Sequence, residues 1–185
     1  MHGLIFVSFL EFTRYAYPDL HEAIWKGEFD YSPLETYPDE SLVELLTCTA
    51  HLTGRPTREI ELAFGTFTAR TAFLRLQPSF YRESGSTRRF LLDVEERIHE
   101  FVRATVRDAA PPRLRVVPLG EGVSITYTSE RQLCAMLEGL VVGTARHYEE
   151  AYTVEQVLCV HRGDMACVFH ASPISEIATS SEADG

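Results

Sequence analysis

The stretch RIHEFVRATVRDAAPPRLRV, residues 97–116, changes character halfway along. Ile98 and Val102 continue an apolar stripe begun by Leu91 and Val94, at the three- and four-residue spacing of a helix. That spacing predicts a helix over roughly 88–107. Pro111 and Pro112 stop it, because proline lacks an amide donor and clashes with the preceding turn. The residues beyond, RLRVVPLGEGVSITYTS (113–129), read as two short strands, Leu114–Val117 and Val123–Tyr127, around a turn with Gly120 and Gly122.

Everything before this point reads as helix. Residues 1–17 are apolar on most faces, and Pro18 ends them. In 38–54 Leu42, Leu45, Leu46, Thr49 and Leu52 share a face, with Gly54 as the stop. Residues 57–76 repeat the pattern with Ile60, Phe64 and Phe67, and Thr57 is the expected N-cap. SGSTRR (84–89) is an expected loop. After the strands, Ser129 and Gln132 form an S-x-x-Q capping box opening a helix with Leu133, Met136, Leu137, Leu140 and Val141 on one side. VEQVLCVHRGDMACVFHA (154–171) is a hairpin around a Gly-Asp turn. Helices first and an antiparallel sheet later define an α+β fold. We expect one domain over 1–172 and a flexible tail or cut linker over 173–185.

Composition narrows the function. A chain of 185 residues with 45% hydrophobic and 24% charged residues can bury one sizeable core. A net charge of −10 disfavours nucleic acid and anionic membranes as partners. The apolar N-terminus lacks a basic leader region, and Glu11, Arg14 and Pro18 cut it short of a membrane span. Four cysteines without a signal peptide suggest reduced thiols and a cytoplasmic protein.

His99 is the residue with most chemical promise. It shares a helical face with Leu92, Glu95, Val102 and Val106, at the border of the apolar stripe. A half-buried structural histidine is the plain reading. A general base would need an oriented partner, and none is obvious nearby. A single imidazole makes a poor zinc site, but it is what an axial haem ligand looks like, since the porphyrin supplies the other donors. The two propionates of a haem need donors and positive charge. Tyr127, Ser129 and Arg131 offer phenol, hydroxyl and guanidinium at alternate positions of a strand end.

These residues resemble the haem nitric oxide/oxygen binding (H-NOX) family, relatives of the sensor domain of soluble guanylate cyclase. The resemblance covers roughly 1–170. It runs from M-x-G-x-I (Met1, Gly3, Ile5) through YPDESLVELL (37–46), Ala63–Gly65 and the His99 helix to P-P-R-L (Pro111–Leu114) and Y-x-S-x-R. It implies a sensor, not an enzyme: a haem b held between the helical half and the sheet, with His99 on the ferrous iron. Tyr127, Ser129 and Arg131 would hold the propionates, and Ile5 and Pro112 would pack on the ring. Relatives that keep oxygen use a distal tyrosine. By the family's spacing that position is Met136, whose thioether cannot donate a hydrogen bond. Phe9, Thr68 and Leu140 would complete the gas pocket, and Tyr15 or Tyr17 could reach in from a longer first helix. The resemblance therefore implies a bacterial sensor that binds nitric oxide and carbon monoxide and excludes oxygen. Nitric oxide would weaken the iron–His99 bond opposite it, shifting the two halves. Without a kinase or cyclase motif, the output would pass to a histidine kinase or cyclic-nucleotide enzyme in trans.

Two other readings stay open. C-x-x-x-G-D-x-x-C-x-F over 159–169 resembles the haem-free, vinyl-reductase-like small-ligand-binding domains in part. Cys159 and Cys167, with His161 and His170, could alternatively hold zinc, although structural thiols account for them more simply. Cys134 could be a thiol sensitive to nitric oxide, or simply core.

Overall fold

The computed structural model describes residues 1–25, 31–105 and 110–174. Within them α1 (Gly3–Ala16) begins at His2, whose Nδ1 accepts the Leu4 amide, and ends ahead of Pro18. It is followed by α2 (His21–Trp25), α3 (Asp39–Thr53), α4 (Thr57–Arg70), α5 (Ala72–Leu76), α6 (Pro78–Ser84) and α7 (Thr87–Val94). A π-helical stretch, Glu95–Glu100, leads into α8 (Phe101–Thr105). Then come β1 (Arg113–Leu119), β2 (Gly122–Thr128), α9 (Cys134–His147), β3 (Tyr152–Leu158) and β4 (Cys167–Pro173). The sheet is antiparallel in the order β1-β2-β4-β3. The α+β expectation holds, and no helix among the described residues is long and apolar enough to cross a membrane.

Several local expectations need correction. Pro56, not Thr57, stands at the N-cap of α4. The expected 57–76 helix breaks at Thr71, whose hydroxyl donates to the Phe67 carbonyl at 2.8 Å and competes with the backbone ladder there. The expected loop SGSTRR shrinks to Gly85 and Ser86, because the Ser86 hydroxyl accepts the Arg89 amide and caps α7. The 88–107 helix is not one α-helix but α7, a π stretch and α8. Its expected end and Val106 lie outside the described residues, as do 175–185 of the tail. Ser129 opens no helix: its hydroxyl accepts the Arg131 amide, Gln132 takes a positive φ of 54°, and α9 starts only at Cys134.

One face of the sheet is apolar by alternation, and the register stacks like on like. Val123 stands opposite Ala171, Ile125 opposite Phe169 and Tyr127 opposite Cys167. These side chains are buried with Phe90, Leu91 and Val94 of α7 and Leu137 and Val141 of α9. A second core fills the helical half with Phe6, Phe9, Phe12, Trp25, Leu42 and Phe64, joined by Leu133 and Met136. Helix α9 therefore serves both cores. It lies unusually close to α4. A Cβ on Gly65 would come within 2.1 Å of the Met136 carbonyl oxygen, and one on Gly139 within 2.1 Å of that of Leu62. Only glycine permits such backbone contact.

Candidate functional site

His99 lies in the π stretch, a feature that often marks functional positions in helices. Its side chain is 16% exposed, and its Nδ1 lies 2.9 Å from Oε2 of Glu95. The same Oε2 accepts the Leu114 amide at 2.9 Å, while the Arg103 guanidinium pairs with Oε1. Burial pushes the His99 pKa down, and that outweighs the pull of Glu95 in the other direction. Burial would raise the Glu95 carboxyl, but hydrogen bonds from His99, Arg103 and Leu114 hold it below its ordinary value. The pair is thus a neutral imidazole and an ionised carboxylate. A carboxylate only accepts, so the proton sits on Nδ1 and the lone pair on Nε2. Among the described residues Nε2 has no hydrogen-bond partner.

Glu95 also settles where this turn sits. Leu114 is the β1 residue opposite Tyr127 of β2, so the carboxylate ties the His99 turn to β1, the strand paired with the one that carries Tyr127. Tyr127 is buried at the end of β2, and two residues on the Ser129 hydroxyl accepts the Arg131 amide. Burial raises the Tyr127 phenol further above its ordinary range, so it stays a donor. Arg131 closes the circuit by donating from Nη1 to the Ala110 carbonyl at 2.5 Å, just before the half-buried Pro111 and Pro112. Its Nε lies 2.9 Å from Oδ2 of Asp39 at the start of α3. The structure therefore brings His99, Pro112, Tyr127, Ser129 and Arg131 into one connected segment.

The expected gas-pocket residues belong to the helical half. Phe9 and Met136 are buried in its core, and the half-buried Ile5 packs against it. Thr68 is fully buried, but its hydroxyl is taken up by Ser8 at 3.0 Å. Leu140 is half-buried on α9, one turn beyond Met136. Tyr15 is 78% exposed and points to solvent, and Tyr17 lies past the end of α1 with its ring edge-on to Phe12. Neither supplies the hydroxyl that a longer first helix would have brought.

Cys159 and Cys167 do meet, together with Cys134 of α9, their sulfurs all within 4.8 Å. The two histidines considered with them do not join. His161 bonds the Gln132 carbonyl at 2.9 Å, and His170 lies on the opposite face of β4 from Cys167. Burial pushes the Cys134 thiol up to about 12, so it is a protonated core thiol.

Sequence reasoning placed Glu95 on the His99 face but saw no oriented partner for the imidazole, which Glu95 is, and it passed over Arg103 and Asp39. The i,i+4 spacing of Glu95, His99 and Arg103 was the available signal. Asp39 had none, because its partner Arg131 is remote in the chain.

Comparison with known proteins places this arrangement. The architecture is that of the H-NOX proteins, a fold of haem-based gas sensors. A family model described as Haem-NO-binding matches residues 3–156, and the chain belongs to that family. It superposes on an H-NOX protein from S. oneidensis in the Fe(II)NO ligation state with a TM-score of 0.86 at 18% identity, covering 95% of this chain and 100% of that one. For an unliganded Fe(II) H-NOX mutant from K. algicida the values are 0.79, 19%, 96% and 98%. For a mutant of T. Tengcongensis H-NOX they are 0.82, 20%, 96% and 100%. At these identities the likeness is one of fold. No curated protein matches the chain.

Proposed function

We propose that this chain is a haem-based sensor of nitric oxide, with carbon monoxide as a second ligand and oxygen excluded. One observation carries the reading. His99 is half-buried, neutral and held through Nδ1, which leaves Nε2 as the ring nitrogen free to bind iron. The residues fit a haem in donor chemistry: one imidazole with a free lone pair, and a phenol, a hydroxyl and a guanidinium linked to the same turn through β1 and β2. A ferrous haem held there would supply an iron able to take the His99 imidazole and a diatomic gas.

The protein's own residues do the rest. His99 would hold the iron through Nε2. Tyr127, Ser129 and Arg131 hold the propionates, since the guanidinium's five N–H groups exceed its present contacts with Asp39 and Ala110. Ile5 and Pro112 pack against the ring. Phe9, Thr68, Met136 and Leu140 form the gas pocket. Phe9, Met136 and Leu140 offer no donor, and the Thr68 hydroxyl is engaged with Ser8, so a bound anionic oxygen finds little stabilisation. The hydrogen bonds of Glu95 support a route for the signal, from His99 to Glu95 and on to Leu114 and β1. A ligand drives such a shift only by interacting differently with the two states. The receiver is a separate protein, a histidine kinase or a cyclic-nucleotide enzyme. We assign residues 1–172 to the sensor domain.

The absorption spectrum of the reduced protein tests this, recorded alone, with nitric oxide, with carbon monoxide and in air. The expected result is a ferrous haem that shifts with both gases and forms no stable oxygen complex. A stable oxygen complex would overturn the selectivity. Failure to take up haem would overturn the sensor reading and return attention to the haem-free alternative.

A further inference from the structure

We infer that Glu95 is a positioning residue for the haem iron, a carboxylate that fixes the tautomer of His99 and strengthens its Nε2 as a donor, with Arg103 moderating the effect. The inference rests on the reading of His99 as the axial ligand.

The geometry is specific. Oε2 of Glu95 receives two N–H donors, the His99 Nδ1–H at 2.9 Å and the Leu114 amide at 2.9 Å. Oε1 receives the Arg103 guanidinium. A carboxylate with its oxygens so engaged cannot rotate away, and Leu114 anchors it to the sheet. The imidazole is thus oriented by a group that is itself oriented. Partners of this kind raise the basicity of a metal-bound histidine and cost about 10–100-fold in metal affinity when lost. A full negative charge on the far side of the ring pulls the Nδ1 proton outward and gives the ring partial imidazolate character. Arg103 draws some of that charge away. The two residues therefore act on His99 in opposite directions, although they touch each other.

The opposition supplies a test that mere structural damage would not imitate. Glu95→Gln keeps the shape and removes the charge; Arg103→Gln keeps Glu95 and removes its counter-charge. The readouts are the resonance Raman iron–histidine stretch of the reduced haem protein and its reduction potential, neither of which is a signalling activity. Glu95→Gln should lower the stretch, raise the potential and weaken haem retention by about tenfold, the lower end of the range for lost partners. Arg103→Gln should raise the stretch and lower the potential. Shifts of the same sign, or no shift in a protein whose wild type shows the band, overturn the role of Glu95 and leave His99 as ligand. A wild type without any iron–histidine band overturns the ligand reading itself, and Glu95 with it. Should Glu95→Gln not fold, the diamagnetic carbon monoxide form of the wild type gives the answer by NMR. A far-downfield Nδ1–H resonance of His99 supports the carboxylate bond, and an ordinary one overturns it.

Discussion

Arg131 sets its Nε 2.9 Å from Oδ2 of Asp39, tying the turn after β2 to the first turn of α3. The sheet and the helical half thus share an ion pair at a residue that the proposed function also assigns to a haem propionate. Arg131→Leu should speed the transfer of haem to apomyoglobin by about 10–100-fold, the equivalent of one lost charged hydrogen bond of about 1.5–3 kcal/mol. Asp39→Asn should leave haem transfer close to wild type, because it releases the guanidinium. Equal effects of the two variants would show that the ion pair, not a propionate contact, is what Arg131 provides.

His99→Gly should purify without haem from cells grown without imidazole. Imidazole in the growth medium should restore the Soret band, because the small ligand can occupy the space vacated by the side chain. A Soret band unchanged by the substitution would sink the ligand assignment.

Met136→Tyr places a phenol among Phe9 and the other core residues of the helical half. A donor there should make the ferrous protein hold oxygen in air, read as a persistent oxygen-complex spectrum. If the variant still oxidises at once without a stable complex, Met136 does not face the gas.

Gly139→Ala puts a methyl group 2.1 Å from the Leu62 carbonyl oxygen, where backbone must move to admit it. The expected loss is about 1–3 kcal/mol in urea unfolding, the usual cost of overpacking. A variant as stable as wild type would mean that the two helices separate readily.

Acid should destabilise the haem-free protein in two stages. His99 titrates below its ordinary 6.5 because of burial, so the unfolded chain binds more protons and stability falls as pH drops from 6.5. Glu95 titrates below its ordinary 4.5, since its hydrogen bonds outweigh burial, and its contribution is lost as pH falls below 4.5 towards the lowered value. Both act in one direction. Thermal midpoints that rise between pH 6.5 and 4.5 would contradict the half-buried, neutral imidazole.

What could be read from sequence was whatever depends on local pattern. The change at Pro111–Pro112 separates helices from sheet, and the alternation of Val123, Ile125 and Tyr127 announces the buried face of β2. His99 and Y-x-S-x-R were visible as residue types at a spacing. What stayed hidden depends on distant partners or on competition between near-equal bonds. Thr71 and Ser129 look like helix residue and cap, yet each spends its hydroxyl elsewhere. Glu95 stands four residues before His99, but its value comes from Leu114 across a loop. Cys134 meets the hairpin thiols only because α9 lies over the sheet.

The glycines between α4 and α9 bear on how the proposed gas pocket would respond to a ligand. Where two backbones touch, neither helix can slide without driving a carbonyl into its neighbour, and no side chain lies between them to yield. Met136 is thereby mounted on a stiff wall, its own carbonyl pressed against Gly65. In the proposed pocket, room for a diatomic molecule would come from rotation of the Met136 thioether and the Leu140 side chain, not from breathing of the helices. Discrimination between gases then becomes a matter of rotamer choice at two positions, open to retuning by substitution without loosening the frame that holds them.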